Sequence, residues 1–157
     1  MADDQDLMKL YSQRILALAA AIPMTERLDN PDATVRKRSP LCGSTVEVDV
    51  KLSNDIITDF GQDVKACALG QTSASVLASH IVGLSKEQIT TARDQLFAML
   101  KGDGNTPAAP FGDLEVLLPA QSYSNRHASI MLAFDATIEA IDQAQKNAAN
   151  QSVAASS

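Results

Sequence analysis

Residues 45–52 read TVEVDVKL, in which Val46, Val48 and Val50 alternate with Glu47, Asp49 and Lys51. Successive side chains of a β-strand point to opposite faces, so this segment carries one apolar and one charged face and belongs in a sheet covered on one side. Ser53, Asn54 and Asp55 follow, residues whose side chains favour turns, and a second strand-like run occupies residues 56–65. A third such run lies at 33–39. Short connections join antiparallel neighbours, so residues 33–65 are expected to form a three-stranded antiparallel meander.

The flanking segments have helical period. Leu7, Leu10, Tyr11, Leu18 and Ile22 fall near one face of a helix expected over 4–22, which Pro23 stops. After Cys67, the residues Leu69, Ala74, Leu77, Ala78 and Ile81 suit a helix ended by Gly83. Ser85 and Gln88 have the spacing of a capping box, and Ile89, Leu96, Met99 and Leu100 make the apolar stripe of the helix that follows, up to Gly102. Residues 102–112 read as loop, 113–118 as a single turn before Pro119, and 125–146 as a last helix with Ile130, Phe134, Ile138 and Ile141 inward. The expected class is α+β, a small three-stranded antiparallel sheet packed against four to five helices. Residues 1–146 are expected to be one domain and the Ala/Ser/Asn-rich residues 147–157 a disordered tail.

A net charge of −6 opposes binding to a phosphate backbone, which requires clustered Lys and Arg, so nucleic acid is not an expected partner. No apolar run reaches the roughly 20 residues needed to span a bilayer, and the first residues, MADDQDL, are acidic where a signal peptide is basic. A cytoplasmic protein with no membrane partner is expected. The chain has no P-loop, no GxSxG elbow and no HExxH pair, so the common signals of nucleotide, hydrolase and protease chemistry are missing.

The chain has two cysteines, Cys42 in SPLCGS and Cys67 in VKACALGQTSAS. In a reducing compartment such a pair serves as thiolate ligands or reactive thiols more readily than as a disulfide. Cys67 stands where a strand gives way to a helix, so the positive end of the helix dipole and Lys65 both suit a thiolate there. Cys42 follows Arg36, Lys37 and Arg38 and precedes Gly43, which lets a ligand or partner come close. The plainer alternative is that each cysteine is a small buried hydrophobe.

The segments around these cysteines resemble the U-type iron–sulfur cluster assembly scaffolds, the family of IscU, SufU and the amino-terminal domain of NifU. SPLCGS is similar to that family's NPLCGD-like segment, and ACALGQTSAS to its GCA(I/L)SxASAS-like segment. RHAS, residues 126–129, is similar to the RxxC segment that opens a late helix and carries a third cysteine. The resemblance spans residues 5–145, and the long stretch between Cys67 and Arg126 is of the SufU type.

It implies the compact SufE/IscU-like fold and a cluster or metal site at Cys42 and Cys67. Ser44 stands where the family has an aspartate, and gap-free reading puts Ser129 where it has its third cysteine. His127 is then the natural substitute ligand, since a neutral imidazole binds iron or zinc. The set is still one ligand short, to be completed by water, by a carboxylate such as Asp59 or, better aligned by strand alternation, Asp63, or by a second copy of the chain in a homodimer. Arg126 fits the arginine that accompanies the third cysteine in the SufU type, steering an anionic sulfur species or pairing with an acid such as Asp113. His80, nearly four turns along from Cys67, reads as exposed or structural.

The function implied is a non-enzymatic scaffold or carrier. It takes sulfur from a cysteine desulfurase, assembles a labile iron–sulfur cluster with iron, and passes it to acceptor proteins. The alternatives are a zinc-stabilised sulfurtransferase that accepts persulfide from the desulfurase, and a metal-free interaction protein that regulates it.

Overall fold

The computed structural model describes residues 12–40 and 43–156. The expected start of the first helix, and Cys42, lie outside the described residues. Strand β1 (Ala33–Arg38), β2 (Thr45–Ser53) and β3 (Ile56–Lys65) form a sheet in the order β1-β2-β3, antiparallel throughout. The meander and the α+β class are therefore as expected. Val46, Val48 and Val50, with Phe60 opposite Val50, give the sheet its buried inner face.

Helix α1 (Gln13–Ala20) is capped by Ser12, whose side chain accepts from Ile15 N–H, and buries Ile15 against α2. Helix α2 (Ala68–His80) follows β3. It ends before Gly83, whose positive φ of 93° returns the chain to the sheet through a Gly83 N–H to Ile57 carbonyl bond of 2.8 Å. Helix α3 (Lys86–Lys101) begins with the capping box expected of Ser85 and Gln88 and closes on Gly102 in the left-handed conformation.

The turn expected at 113–118 is longer, a 3-10 segment over Gly112–Ser122 with Pro119 inside it. Leu114, Val116, Leu117 and Ala120 are buried, while Leu118 is exposed.

Helix α4 (Ser124–Ser156) is the central pillar, packing on α2, β2, β1 and α3. It carries Ile130, Phe134 and Ile141 into the core. The expected end near Lys146 is corrected by a helix that runs on to Ser156. Alanines suit its continuation, and Asn147 donates to the Asp32 carbonyl at 3.0 Å, tying the helix to the start of β1.

A strap over residues 23–28 crosses the outer side of the sheet. Asp49, 1% exposed although it sits on the charged face of β2, accepts from Arg27 Nε (2.6 Å) and Nη2 (2.9 Å), from Leu28 N–H (3.1 Å) and from Thr34 Oγ1 (2.6 Å). Arg27 also reaches Glu47. Gly61 makes the strap possible, because a Cβ there would lie 2.5 Å from the Glu26 carbonyl oxygen. Among the described residues, no helix is long and apolar enough to cross a membrane.

Candidate metal and cluster site

One end of the sheet assembles the site. The connection between β1 and β2 is closed by Ser39 N–H donating to the Ser44 carbonyl (2.8 Å) and Gly43 N–H donating to the Ser39 carbonyl (3.0 Å), with Gly43 at φ +72°. Thr45, the next residue, pairs with Lys65 at the end of β3. Two residues on, Cys67 caps α2 with extended backbone (φ −66°, ψ 170°). Its side chain makes no capping hydrogen bond, so the sulfur is not spent on its own helix. The thiol is half-buried against the core.

Helix α4 supplies the third side. Ser129 Oγ lies 3.6 Å from Cys67 Sγ and 3.2 Å from Ser44 Oγ, and both serines are buried. A hydroxyl carries one proton, so Ser129 can donate to the sulfur while accepting from Ser44. The close approach of α2 to α4 rests on Gly70, where a Cβ would stand 2.7 Å from Ser129 Oγ and 2.9 Å from the Ala66 Cβ. Gly70→Ala should therefore push Ser129 away from Cys67 and cost about 1–3 kcal/mol of stability, read from denaturant midpoints. A glycine in the first turn of the helix, three residues after a cysteine, was the sequence signal for this contact.

The geometry corrects three expectations. His127 and Ser129 lie two residues apart on one helix, about 200° around its axis, so the turn that presents Ser129 to Cys67 carries His127 away. The buried His127 ring instead donates from Nε2 to the Ala120 carbonyl at 2.8 Å, fixing the 3-10 segment to the start of α4.

Asp63 is exposed on the outer face of the sheet, opposite Glu47. The alternation that would have aligned it with Cys67 stops at Lys65, where β3 ends. Arg126 donates its N–H to the Tyr123 carbonyl (2.8 Å), and Asp113 pairs with Arg14 at 3.5 Å rather than with Arg126. His80 packs edge-on against Phe111, ring centroids 6.0 Å apart, the structural role expected of it. Among the described residues, no three of His, Cys, Asp and Glu group as a metal site.

The three motif segments that carried the resemblance can now be followed in space. Ser44 of SPLCGS, Cys67 of ACALGQTSAS and Ser129 of RHAS meet side by side. The NifU-like N terminal domain family matches residues 11–149. The chain belongs to that family.

Within the family, the iron-sulfur cluster assembly scaffold protein IscU of Streptococcus pyogenes serotype M1 is 29% identical over 115 residues, 73% of this chain and 72% of that one. The zinc-dependent sulfurtransferase SufU of Bacillus subtilis (strain 168) is 24% identical over 104 residues, 66% and 71% of the two chains. The crystal structure of a NifU-like protein (N-terminal) from Brucella abortus superposes with a TM-score of 0.87 at 40% identity, covering 90% of this chain and 98% of that one.

Proposed function

We propose that this chain is an iron–sulfur cluster assembly scaffold or carrier, which holds iron or a labile cluster through Cys42 and Cys67 and passes it to acceptor proteins. Its sulfur would come from a cysteine desulfurase. The observation that carries the reading is the meeting of Ser44, Cys67 and Ser129, one residue from each motif segment, at the end of the sheet from which the segment bearing Cys42 departs. The named scaffold relative supports it.

The cluster is cargo, so weak retention serves the function. Two thiolates hold it, and where the family motif has an aspartate and a cysteine this chain has Ser44 and Ser129, of which Ser129, itself hydrogen-bonded by Ser44, offers a hydroxyl hydrogen bond to sulfur in place of a further charged ligand. Two copies of the chain sharing one cluster would complete a four-thiolate set. His127 stands outside the ligand set. His127→Ala is expected to leave the iron and sulfide bound per folded chain unchanged, while costing about 2 kcal/mol of stability through the lost Ala120 hydrogen bond and the space left behind.

A second reading, a zinc-stabilised sulfurtransferase carrying a persulfide on one cysteine, is favoured by the name of the SufU relative. It needs a tight metal site, and replacement of the motif's aspartate by the neutral Ser44 works against it. Anaerobic reconstitution with iron and sulfide, followed by metal and sulfide analysis, separates the two. Stoichiometric iron and sulfide with thiolate charge-transfer absorbance support the scaffold. Tightly held zinc without sulfide would replace it with the second reading. Protein that retains neither, yet still binds a desulfurase, would overturn both in favour of a metal-free regulator.

A further inference from the structure

The sheet's two edges are finished differently. Along the outer edge of β3, Gln62 N–H donates to the Met24 carbonyl at 2.9 Å and the strap covers the strand. The opposite edge is the free side of β1. The hydrogen bond from Ser39 N–H to the Ser44 carbonyl and the unbroken register from Ala33↔Val50 to Arg38↔Thr45 set the alternation of the backbone. Val35 and Lys37 turn their backbone groups toward β2, so those of Thr34, Arg36 and Arg38 point away from the sheet. Among the described residues, no backbone hydrogen bond outside the β1–β2 ladder reaches these three, and all are exposed. Helix α4 packs on β1 and makes polar contacts with this part of the chain at Lys37, paired with Glu139, and at the Asp32 carbonyl.

Charge then selects the occupant. Arg36 and Arg38 project on the outer face, and Lys65 stands in the same row as Arg38 across Thr45. Among the described residues none of the three forms an ion pair, although Arg14, Arg27, Lys37, Lys86 and Arg93 all do, in a chain of net charge −6. An open edge invites pairing, and cations along it discourage pairing with like strands. A second copy paired antiparallel about Arg36 would set that residue against itself.

We propose that the free edge of β1 receives an extended acidic segment of a partner protein as a fourth strand. Its backbone bonds to Thr34, Arg36 and Arg38, and its carboxylates face Arg36 and Arg38. Arg38 immediately precedes the connection to β2, so a segment bound there brings its protein to the cysteine end of the sheet. The proposal rests on the strand edge and its charges, and stands independently of what the cysteines bind.

The test uses the full chain and a fluorescein-labelled nine-residue peptide alternating Glu and Val, at low salt. Saturable binding is expected, with slowed amide exchange at Thr34, Arg36 and Arg38. Arg36→Glu combined with Arg38→Glu should weaken binding by about tenfold or more. Arg36→Pro, which removes an outward N–H and leaves the β1–β2 ladder intact, should weaken it well beyond Arg36→Ala. N-methylating alternate peptide amides should abolish binding in one phase and spare it in the other. No binding, equal binding of a Lys/Val peptide, or equal binding of both methylated phases would overturn the proposal, the last reducing the edge to a diffuse cationic patch. Thermal unfolding of each variant confirms that it is folded before binding is read.

Discussion

Asp49→Ala is expected to lower the stability of the fold by about 3 kcal/mol and its melting temperature by about 10 °C. The carboxylate is almost wholly buried and gathers Arg27, Leu28 N–H and Thr34 onto the outer face of the sheet. Arg27 is 43% exposed, so once unpaired it finds water, and the loss falls mainly on the part-buried hydrogen bonds from Leu28 N–H and Thr34 Oγ1 and on the strap they anchor.

The same group gives the fold an acid limb. Burial acts to raise the carboxyl of Asp49, but the hydrogen bonds from Arg27, Thr34 and Leu28 N–H and the charge of Arg27 hold it below the usual carboxylate range. The group binds its proton less readily folded than unfolded. Its contribution is therefore complete above the ordinary aspartate value of about 3.9 and is lost as pH falls through the depressed one. Urea midpoints measured downward from about pH 6 should fall in the parent below about pH 4, and the drop should be smaller in Asp49→Asn, which cannot titrate there. Equal acid sensitivity in the two proteins would remove Asp49 from the account.

The second large effect concerns the sulfur site. Cys67→Ala is expected to weaken iron–sulfur loading by on the order of a hundredfold or more, since even supporting groups around metal ligands commonly contribute ten- to a hundredfold. Ser129→Cys should act in the opposite direction. Its sulfur would replace an oxygen 3.6 Å from Cys67 Sγ, placing a third thiolate beside the site and raising both the amount of cluster retained and its lifetime against a chelator. Loading measured per folded chain separates the readings. Unchanged loading in Cys67→Ala would show that the cluster is held elsewhere, and unchanged loading in Ser129→Cys that α4 does not face it.

The fold was legible wherever one periodicity ran uninterrupted. Val46, Val48 and Val50 placed β2 and its buried face, and Ser85 with Gln88 placed the start of α3. The full extent of the 3-10 segment was not legible, because Pro119 reads as a break although the segment continues through it to Ser122. Nor was the burial of Asp49, since alternation assigns it to solvent. Its cover comes from Arg27, 22 residues earlier, a contact that no local pattern encodes.

At the candidate site, the motifs pointed to residues that the fold brings together, Ser44, Cys67 and Ser129, while ligand chemistry pointed to His127. His127 attracted attention as a good ligand, but helix phase decides which residue faces the thiol, and it selects Ser129. Asp63 failed for a related reason, the strand ending before its alternation reached Cys67.

The central claim, that the chain holds a cluster only to give it away, is tested most directly by transfer. Anaerobically reconstituted protein is mixed with an apo-ferredoxin and circular dichroism follows the appearance of the ferredoxin's own cluster signal. The account predicts transfer faster than assembly from equal free iron and sulfide, insensitive to a chelator that intercepts released iron, and absent when Cys67→Ala replaces the parent. Transfer no faster than from free iron and sulfide, or abolished by the chelator, would contradict it.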